Sequence, residues 1–377
     1  MVAGEASGDQ LGAAFIEAMK QRFPGAVFAG IGGTRMQSAG LDTWWDSDEL
    51  AVFGLFEVLG HLPRLVKLRR KLQSRLLDLN PDVFIGIDAP DFNLGLEARL
   101  KSRGIRTVHY VSPTVWAWRP KRVRKIARAA DLVLCLFPFE PDFYRNHSVA
   151  ATYVGHPMAD QIPLVNERMA ARQALQIDAP AELIALLPGS RVSEVSRLAD
   201  PMIRASIRLG KLHPRARFVA ALASDRTRLV FQQHLDQNPD ARIEQVVGNA
   251  RTVMAAADAV MCASGTATLE TMLVNRPLVS GYRISPATYH LVKTFGIIKP
   301  GLFALPNILA GECLVPELIQ HDASAEKFAR EINRWLLDSA ARQQLSDRFE
   351  ALHRELQCDA SQRAADAVSQ LLKSATR

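Results

Sequence analysis

Short apolar runs alternate with longer amphipathic stretches along most of this chain. The segments Asp82-Val-Phe-Ile-Gly-Ile, Thr107 to Val111, Leu132 to Leu136, Leu183 to Leu187, Phe218 to Leu222, Ala259 to Ala263 and Leu278 to Gly281 are almost continuously apolar. Runs of that length between turn residues predict strands buried on both faces, as in a parallel sheet. Ala26 to Gly30 predicts another, and Met1 to Ala3 the end of a further one. A strand normally has about five or six residues, so the first reads as short at its start. Helical spacing fills the intervals. It predicts helices over Gln10 to Arg22, ending before Pro24, and Ala267 to Leu273, closed by Asn275 and Pro277. From Val52 to Leu79 the residues Leu62, Leu65, Val66, Leu72 and Leu76 recur at helical spacing. From Ala325 the chain reads as helical to its end, with Phe328, Ile332, Trp335 and Leu336 on one face. The strand and helix alternation occurs in two halves, divided by a polar stretch after Gly155-His156-Pro157-Met158-Ala159-Asp160. The pattern predicts an α/β protein of two domains.

The turns carry the candidate chemistry. Ser264-Gly265-Thr266 joins a buried strand to a helix, and free N–H groups at a helix N-terminus suit a phosphate. Glu270 lies one helical turn further on the same side. A carboxylate there cannot hold a phosphate but can accept both hydrogen bonds of a ribose diol. An ordinary capped helix with a surface Glu accounts for the same spacing. Pro188-Gly189-Ser190-Arg191 turns the chain after another strand, with Glu194 entering the next helix. In the first half, Gly4-Glu5-Ala6-Ser7-Gly8-Asp9 places Glu5, Ser7 and Asp9 at a strand's carboxyl end, either for a ligand or as a capping turn. Asp88 ends a buried strand, where α/β folds gather functional groups. Asp91 or Asn93 can cap the helix that follows, which leaves Asp88 over for function.

Two further motifs have competing readings. Asp46-Ser47-Asp48 matches a metal-binding Asp-x-Asp pattern, but its place before a helical segment makes it a capping cluster. The amphipathic stretch carries Arg64, Lys67, Arg69, Arg70, Lys71 and Arg75, preceded by the apolar Ala51-Val-Phe-Gly-Leu-Phe. Core packing with a solvated basic face explains it, and so does contact with a membrane surface. Trp116 and Trp118, beside the basic residues 121–128, can stack on bases, sit at a lipid interface or pack.

Composition narrows these choices. The 377 residues, 48% apolar and 23% charged, form an ordinary globular balance. No apolar run is long enough to span a bilayer, and an acid at Glu5 stands where a signal peptide would be basic. Cys135, Cys262, Cys313 and Cys358 lack metal-binding spacing and read as reduced thiols in a cytoplasmic setting. A net charge of +7 favours an anionic partner.

Four segments then coincide with one family. VAGEASGD from Val2, GIDAPDFN from Gly86, YVSPTVWAWRPKRV from Tyr110 and LLPGSR from Leu186 strongly resemble bacterial lipid-A-disaccharide synthases. ASGTATLE from Ala263 and LPNILAG from Leu305 extend the match over nearly the whole chain. The resemblance implies a GT-B fold: two Rossmann-like domains, over 1–160 and 161–344, facing across a cleft. A helical segment, 345–377, would cross back to the first domain or to a partner subunit, since some members exchange C-terminal segments as homodimers. Relatives carry several residues ahead of VAGEASGD that complete the first strand. The implied reaction joins UDP-2,3-diacylglucosamine to 2,3-diacylglucosamine 1-phosphate, giving the β-1,6-linked disaccharide phosphate and UDP. Members are peripheral on the cytoplasmic face of the anionic inner membrane.

On this reading the UDP-sugar pyrophosphate lies near Ser190, Ser264, Gly265 and Thr266, Arg191 pairs a phosphate, and Glu270 holds the ribose. The resemblance alone places Asn307 in the donor site. Helix amides and a guanidinium can offset the charge on departing UDP, so no metal or other cofactor is expected. An α-linked donor and a β-linked product require one inverting displacement and one general base. Asp88 is assigned that role, with Glu5 as the runner-up, and Ser7 and Asp91 are assigned to substrate binding. A UDP-N-acetylglucosamine epimerase of the same fold would need no lipid-facing surface. A nucleic-acid binder would leave Asp88 and Glu270 without purpose.

Overall fold

The computed structural model describes residues 1–50, 55–113, 122–165, 168–177, 180–284 and 302–374. The chain divides into two compact units, Met1–Asp160 with Leu356–Arg377, and Gln161–Glu355.

In the first unit the described strands are β1 (Val2–Ala3), β2 (Phe28–Gly32), β3 (Leu41–Asp46), β4 (Val83–Ile87), β5 (Arg106–Tyr110), β6 (Leu132–Cys135) and β7 (Ala151–Tyr153). They form one sheet in the order β3-β2-β1-β4-β5-β6-β7, with every pairing parallel. Helices cover both faces. On one, Phe15, Ile16 and Met19 of the helix Ala6–Arg22 pack with Ala364, Ala365 and Val368 of the helix Ala360–Lys373 against Ile85, Ile87 and Val108. On the other, Leu68, Leu72 and Leu76 of the helix Leu55–Leu79 pack with Val2, Ile31 and Phe84. Each fully buried aliphatic side chain contributes about 1.5–3 kcal/mol.

The second unit repeats the plan. Its described strands are β8 (Leu183–Leu187), β9 (Arg217–Leu222), β10 (Ile243–Val247), β11 (Ala259–Ala263), β12 (Leu278–Tyr282) and β13 (Glu317–Ile319), in the parallel order β10-β9-β8-β11-β12-β13. In both sheets the order reverses at the unit's first strand. That reversal opens a crevice at the carboxyl ends of β1 and β4, and another at those of β8 and β11. Open α/β sheets bind ligands at such switch points.

Several local expectations are corrected. The glycine-containing turn after β1 is the first turn of a helix that starts at Ala6, not Gln10. The buried Asp9 accepts hydrogen bonds from the amides of Gly33 (2.8 Å), Arg35 (3.0 Å) and Met36 (3.0 Å), capping the helix Thr34–Ser38. It is therefore a structural acid. Asp46 caps the short turn Ser47–Glu49 by accepting from Asp48 N at 2.9 Å. Neither Asp91 nor Asn93 caps the helix Pro90–Lys101, which begins on Ala89 with Pro at its first position and no side-chain cap. All four cysteines are free, and burial pushes the Cys262 thiol up to about 12, so it is inert at neutral pH.

Candidate functional site

The crevice of the first unit is set by register. Ala3 pairs with Ile87, so the residues that follow each strand, Gly4-Glu5 and Asp88-Ala89, emerge side by side. Glu5 is the exposed N-cap of its helix and makes no side-chain capping bond, and Ser7, two residues on, is exposed. Asp88 and Ala89 are both left-handed, with φ of 51° and 43°. Two successive non-glycine residues in that region cost on the order of 1–3 kcal/mol each and persist only where neighbours impose them. Here Asp88 N donates to Tyr110 O at 2.8 Å, and Asp88 O accepts from Asn93 Nδ2 at 2.8 Å. The Asp88 backbone is thus fixed on both sides. Its half-buried carboxylate has no hydrogen bond or ion pair among the described residues and remains available to a substrate. Asp91 points outward, 84% exposed, with Arg122 at 3.8 Å. It sits in the first turn of the helix that follows the strand end.

In the second unit both predicted loops reach the switch point, but they differ. After β8, Gly189 has φ of 127°, and a side chain there would lie 2.4 Å from Glu194 Cβ. The close approach brings the Glu194 carboxylate to the helix N-terminus, where it accepts from Ser190 N (3.0 Å) and Arg191 N (3.3 Å). The amides expected to meet a phosphate are therefore already bonded to a carboxylate. What remains outward is the Arg191 guanidinium, 80% exposed and 3.3 Å from Glu194. After β11 the helix Thr266–Leu273 starts with Gly265 and Thr266 exposed and open space above Gly265. This terminus carries no such carboxylate among the described residues.

Ser264 and Asn307 belong to one substructure. Ser264 Oγ donates to Phe303 O at 3.3 Å, and Leu305 N donates to Thr268 Oγ1 at 3.2 Å, fastening the helix Leu305–Ala310 beside the loop. Asn307 is fully buried. Its Nδ2 donates to Val315 O (2.9 Å) and Glu317 Oε1 (2.8 Å), and its Oδ1 accepts from Leu314 N and Val315 N, both at 2.9 Å. Every hydrogen-bonding position of that amide is used internally. Asn307 shapes the loop beside Ser264, and its amide is not free to present to a ligand. Glu270 is half-buried, and its Oε1 accepts from Arg251 Nε at 2.9 Å.

On the basic helix, Leu68, Leu72 and Leu76 are buried while Arg64, Lys67, Arg70, Lys71 and Arg75 are exposed. Arg64 pairs with Glu49 at 2.8 Å, and Arg75 lies over the Trp44 ring at 4.0 Å. Residues 51–54, including Phe53, lie outside the described residues, as do Trp116, Trp118 and Lys121. Among the described residues no helix is long and apolar enough to cross a membrane.

Two doubly wound units, each with its candidate loops at the switch point, define a GT-B architecture. Solved structures share it: S. aureus MnaA in complex with UDP (TM-score 0.65, 12% identity, 99% of this chain and 96% of that one). Acinetobacter baumannii MurG, a GT-B glycosyltransferase, is similar too (TM-score 0.56, 15% identity, 98% of each chain). At such identities the likeness concerns the fold alone.

Sequence comparison is more specific. The chain belongs to the lipid-A-disaccharide synthetase family, whose model matches residues 1–368. It is 51% identical over 374 residues to the lipid-A-disaccharide synthase of Xanthomonas campestris pv. campestris strain 8004, covering 99% of this chain and 85% of that protein. Xylella fastidiosa strain M12 carries another, 48% identical over 375 residues, covering 99% of this chain and 97% of that protein. The chain is thus a glycosyltransferase of lipid A biosynthesis.

Proposed function

We propose that this enzyme transfers the diacylglucosamine of UDP-2,3-diacylglucosamine to the 6-hydroxyl of 2,3-diacylglucosamine 1-phosphate with inversion. The acceptor oxygen attacks the anomeric carbon, the bond to UDP breaks, and Asp88 takes the hydroxyl proton. The observation that carries this reading is the state of Asp88. It is an acid without a partner among the described residues, held in a strained backbone at the switch point of its sheet. Glu5, exposed on the neighbouring strand end, orients the acceptor with Ser7. UDP binds the second unit: the amides at Gly265 and Thr266 and the Arg191 guanidinium receive the pyrophosphate, and Glu270 receives the ribose. S. aureus MnaA, solved with UDP, shares the fold and supports UDP as the ligand. The exposed Lys67, Arg70 and Lys71 face anionic lipid at the inner membrane, where acylated substrates reside.

Loss of general-base assistance costs about 10²–10⁴-fold in rate. Asp88→Asn should fold, bind UDP as the parent does, and lose turnover on that scale in a radiolabelled-sugar transfer assay. Near-normal turnover in Asp88→Asn together with an inactive Glu5→Gln would transfer the base role to Glu5.

A further inference from the structure

Beneath Asp88 lies a buried polar column that the transfer reaction does not itself require. Asn93, Glu97 and His109 are all fully buried. Glu97 Oε1 lies 2.7 Å from His109 Nδ1, tying the helix Pro90–Lys101 to β5. His109 pairs in register with Gly86 of β4. A side chain at Gly86 would lie 2.2 Å from Glu97 Oε1 and 2.9 Å from Asn93 Cβ, so the bare backbone of β4 makes room for both. Asn93 then reaches the strand tip. Its Nδ2 faces three carbonyl oxygens, those of Asp88 (2.8 Å), Ile87 (3.4 Å) and Val2 (3.5 Å). The NH₂ end of the amide, with two donors, and not its oxygen, must therefore face these carbonyls. Its Oδ1 has no hydrogen-bond partner among the described residues, and neither do Glu97 Oε2 and His109 Nε2.

Asn93 directs its donor to the carbonyl of a residue in left-handed conformation, and its own oxygen has no partner among the described residues. We infer that Asn93 is a positioning residue for Asp88: its amide holds the Asp88 peptide at φ 51°, which aims the carboxylate into the crevice. The inference rests on the reading of Asp88 as the base.

A misplacement of about 1 Å can cost about 10²-fold in rate. Asn93→Ala should therefore lower kcat by about that factor, with donor KM and UDP affinity unchanged. Residues that act as a unit give non-additive effects, so the decisive measurement is a double-mutant cycle. In an Asp88→Asn background, Asn93→Ala should lower the residual kcat by less than about threefold. A full multiplicative loss in the double variant, or an unchanged kcat in Asn93→Ala alone, would overturn the positioning role while leaving the base in place. High turnover in Asp88→Asn would overturn both readings together. If Asn93→Ala fails to fold, Asn93→Ser supplies a shorter donor and carries the same cycle. It should lower kcat several-fold in the parent background and by less than about threefold in Asp88→Asn, where a full multiplicative loss would overturn the positioning role.

Discussion

At the scale of single residues, the acids of this protein separate by what already satisfies them. Asp9 and Asp46 bind backbone amides, Glu97 binds a histidine, and Glu194 occupies a helix N-terminus. Asp88 has no such partner among the described residues, and Glu270 shares its carboxylate with a half-exposed Arg251. Glu270→Gln keeps size but loses the charge that strengthens hydrogen bonds to two hydroxyls, a loss of roughly 1–3 kcal/mol in UDP binding. Titration calorimetry would read it, and an unchanged affinity would remove Glu270 from the ribose site. Asn307→Ala should behave differently. It strands the Leu314 and Val315 amides and removes a donor from Glu317, so it should destabilise the fold by about 2–4 kcal/mol. A clear drop in melting temperature without ligand is expected; an unchanged melt with weakened UDP binding would contradict the shaping role. Asp88 was legible from sequence because its strand is continuously apolar up to a single acid. Asp9 and Glu194 were not, since their partners are backbone amides that no residue pattern announces.

At the scale of elements, the strands that pattern reading missed share one cause. β3, β7, β10 and β13 are the two edges of each sheet. An edge strand has only one neighbour, so it need not be apolar throughout: β10 reads Ile-Glu-Gln-Val-Val, and no residue of it is fully buried. The interior strands were all legible as apolar runs, although β2 lies two residues later than its composition suggested. The C-terminal helix is tied down by a device equally hidden in sequence. Asp160 accepts from the amides of Cys358 (3.0 Å), Asp359 (2.9 Å) and Ala360 (2.7 Å), capping the helix Ala360–Lys373. Nearby, burial pushes the His156 imidazole down to about 4 from its ordinary 6.5, with its ring 5.6 Å from Phe137. Below about pH 6.5 the unfolded chain takes up a proton that the folded protein refuses, so stability falls as pH falls from there toward 4. His156 is only half-buried, and the loss should be about 1–3 kcal/mol. Urea midpoints at pH 7 and pH 4.5 would measure it. His156→Gln should narrow the gap between the two; an identical gap in parent and variant would remove His156 as its source.

At the scale of the whole molecule, family membership and the physical reading meet. The fold required only that interior strands be apolar, and that much is written in composition and spacing. Which reaction the fold supports is written in the strand-end residues and in the family motifs. Part of the positive charge is clustered, since the helix after Pro63 buries its leucines and turns Lys67, Arg70 and Lys71 outward. Each such charge near a surface adds about 1 kcal/mol toward anionic lipid. Flotation should recover the protein with vesicles containing phosphatidylglycerol, and Lys67→Glu with Lys71→Glu should release it. Equal binding to neutral and anionic vesicles would contradict that role. The identity of the product decides which reaction the enzyme carries out. Purified protein should be incubated with UDP-2,3-diacylglucosamine and 2,3-diacylglucosamine 1-phosphate, and the product examined by mass spectrometry and by the anomeric proton coupling. One UDP should be released per β-1,6-linked disaccharide 1-phosphate formed. UDP release without disaccharide, an α-linked product, or an epimerised sugar nucleotide would contradict it.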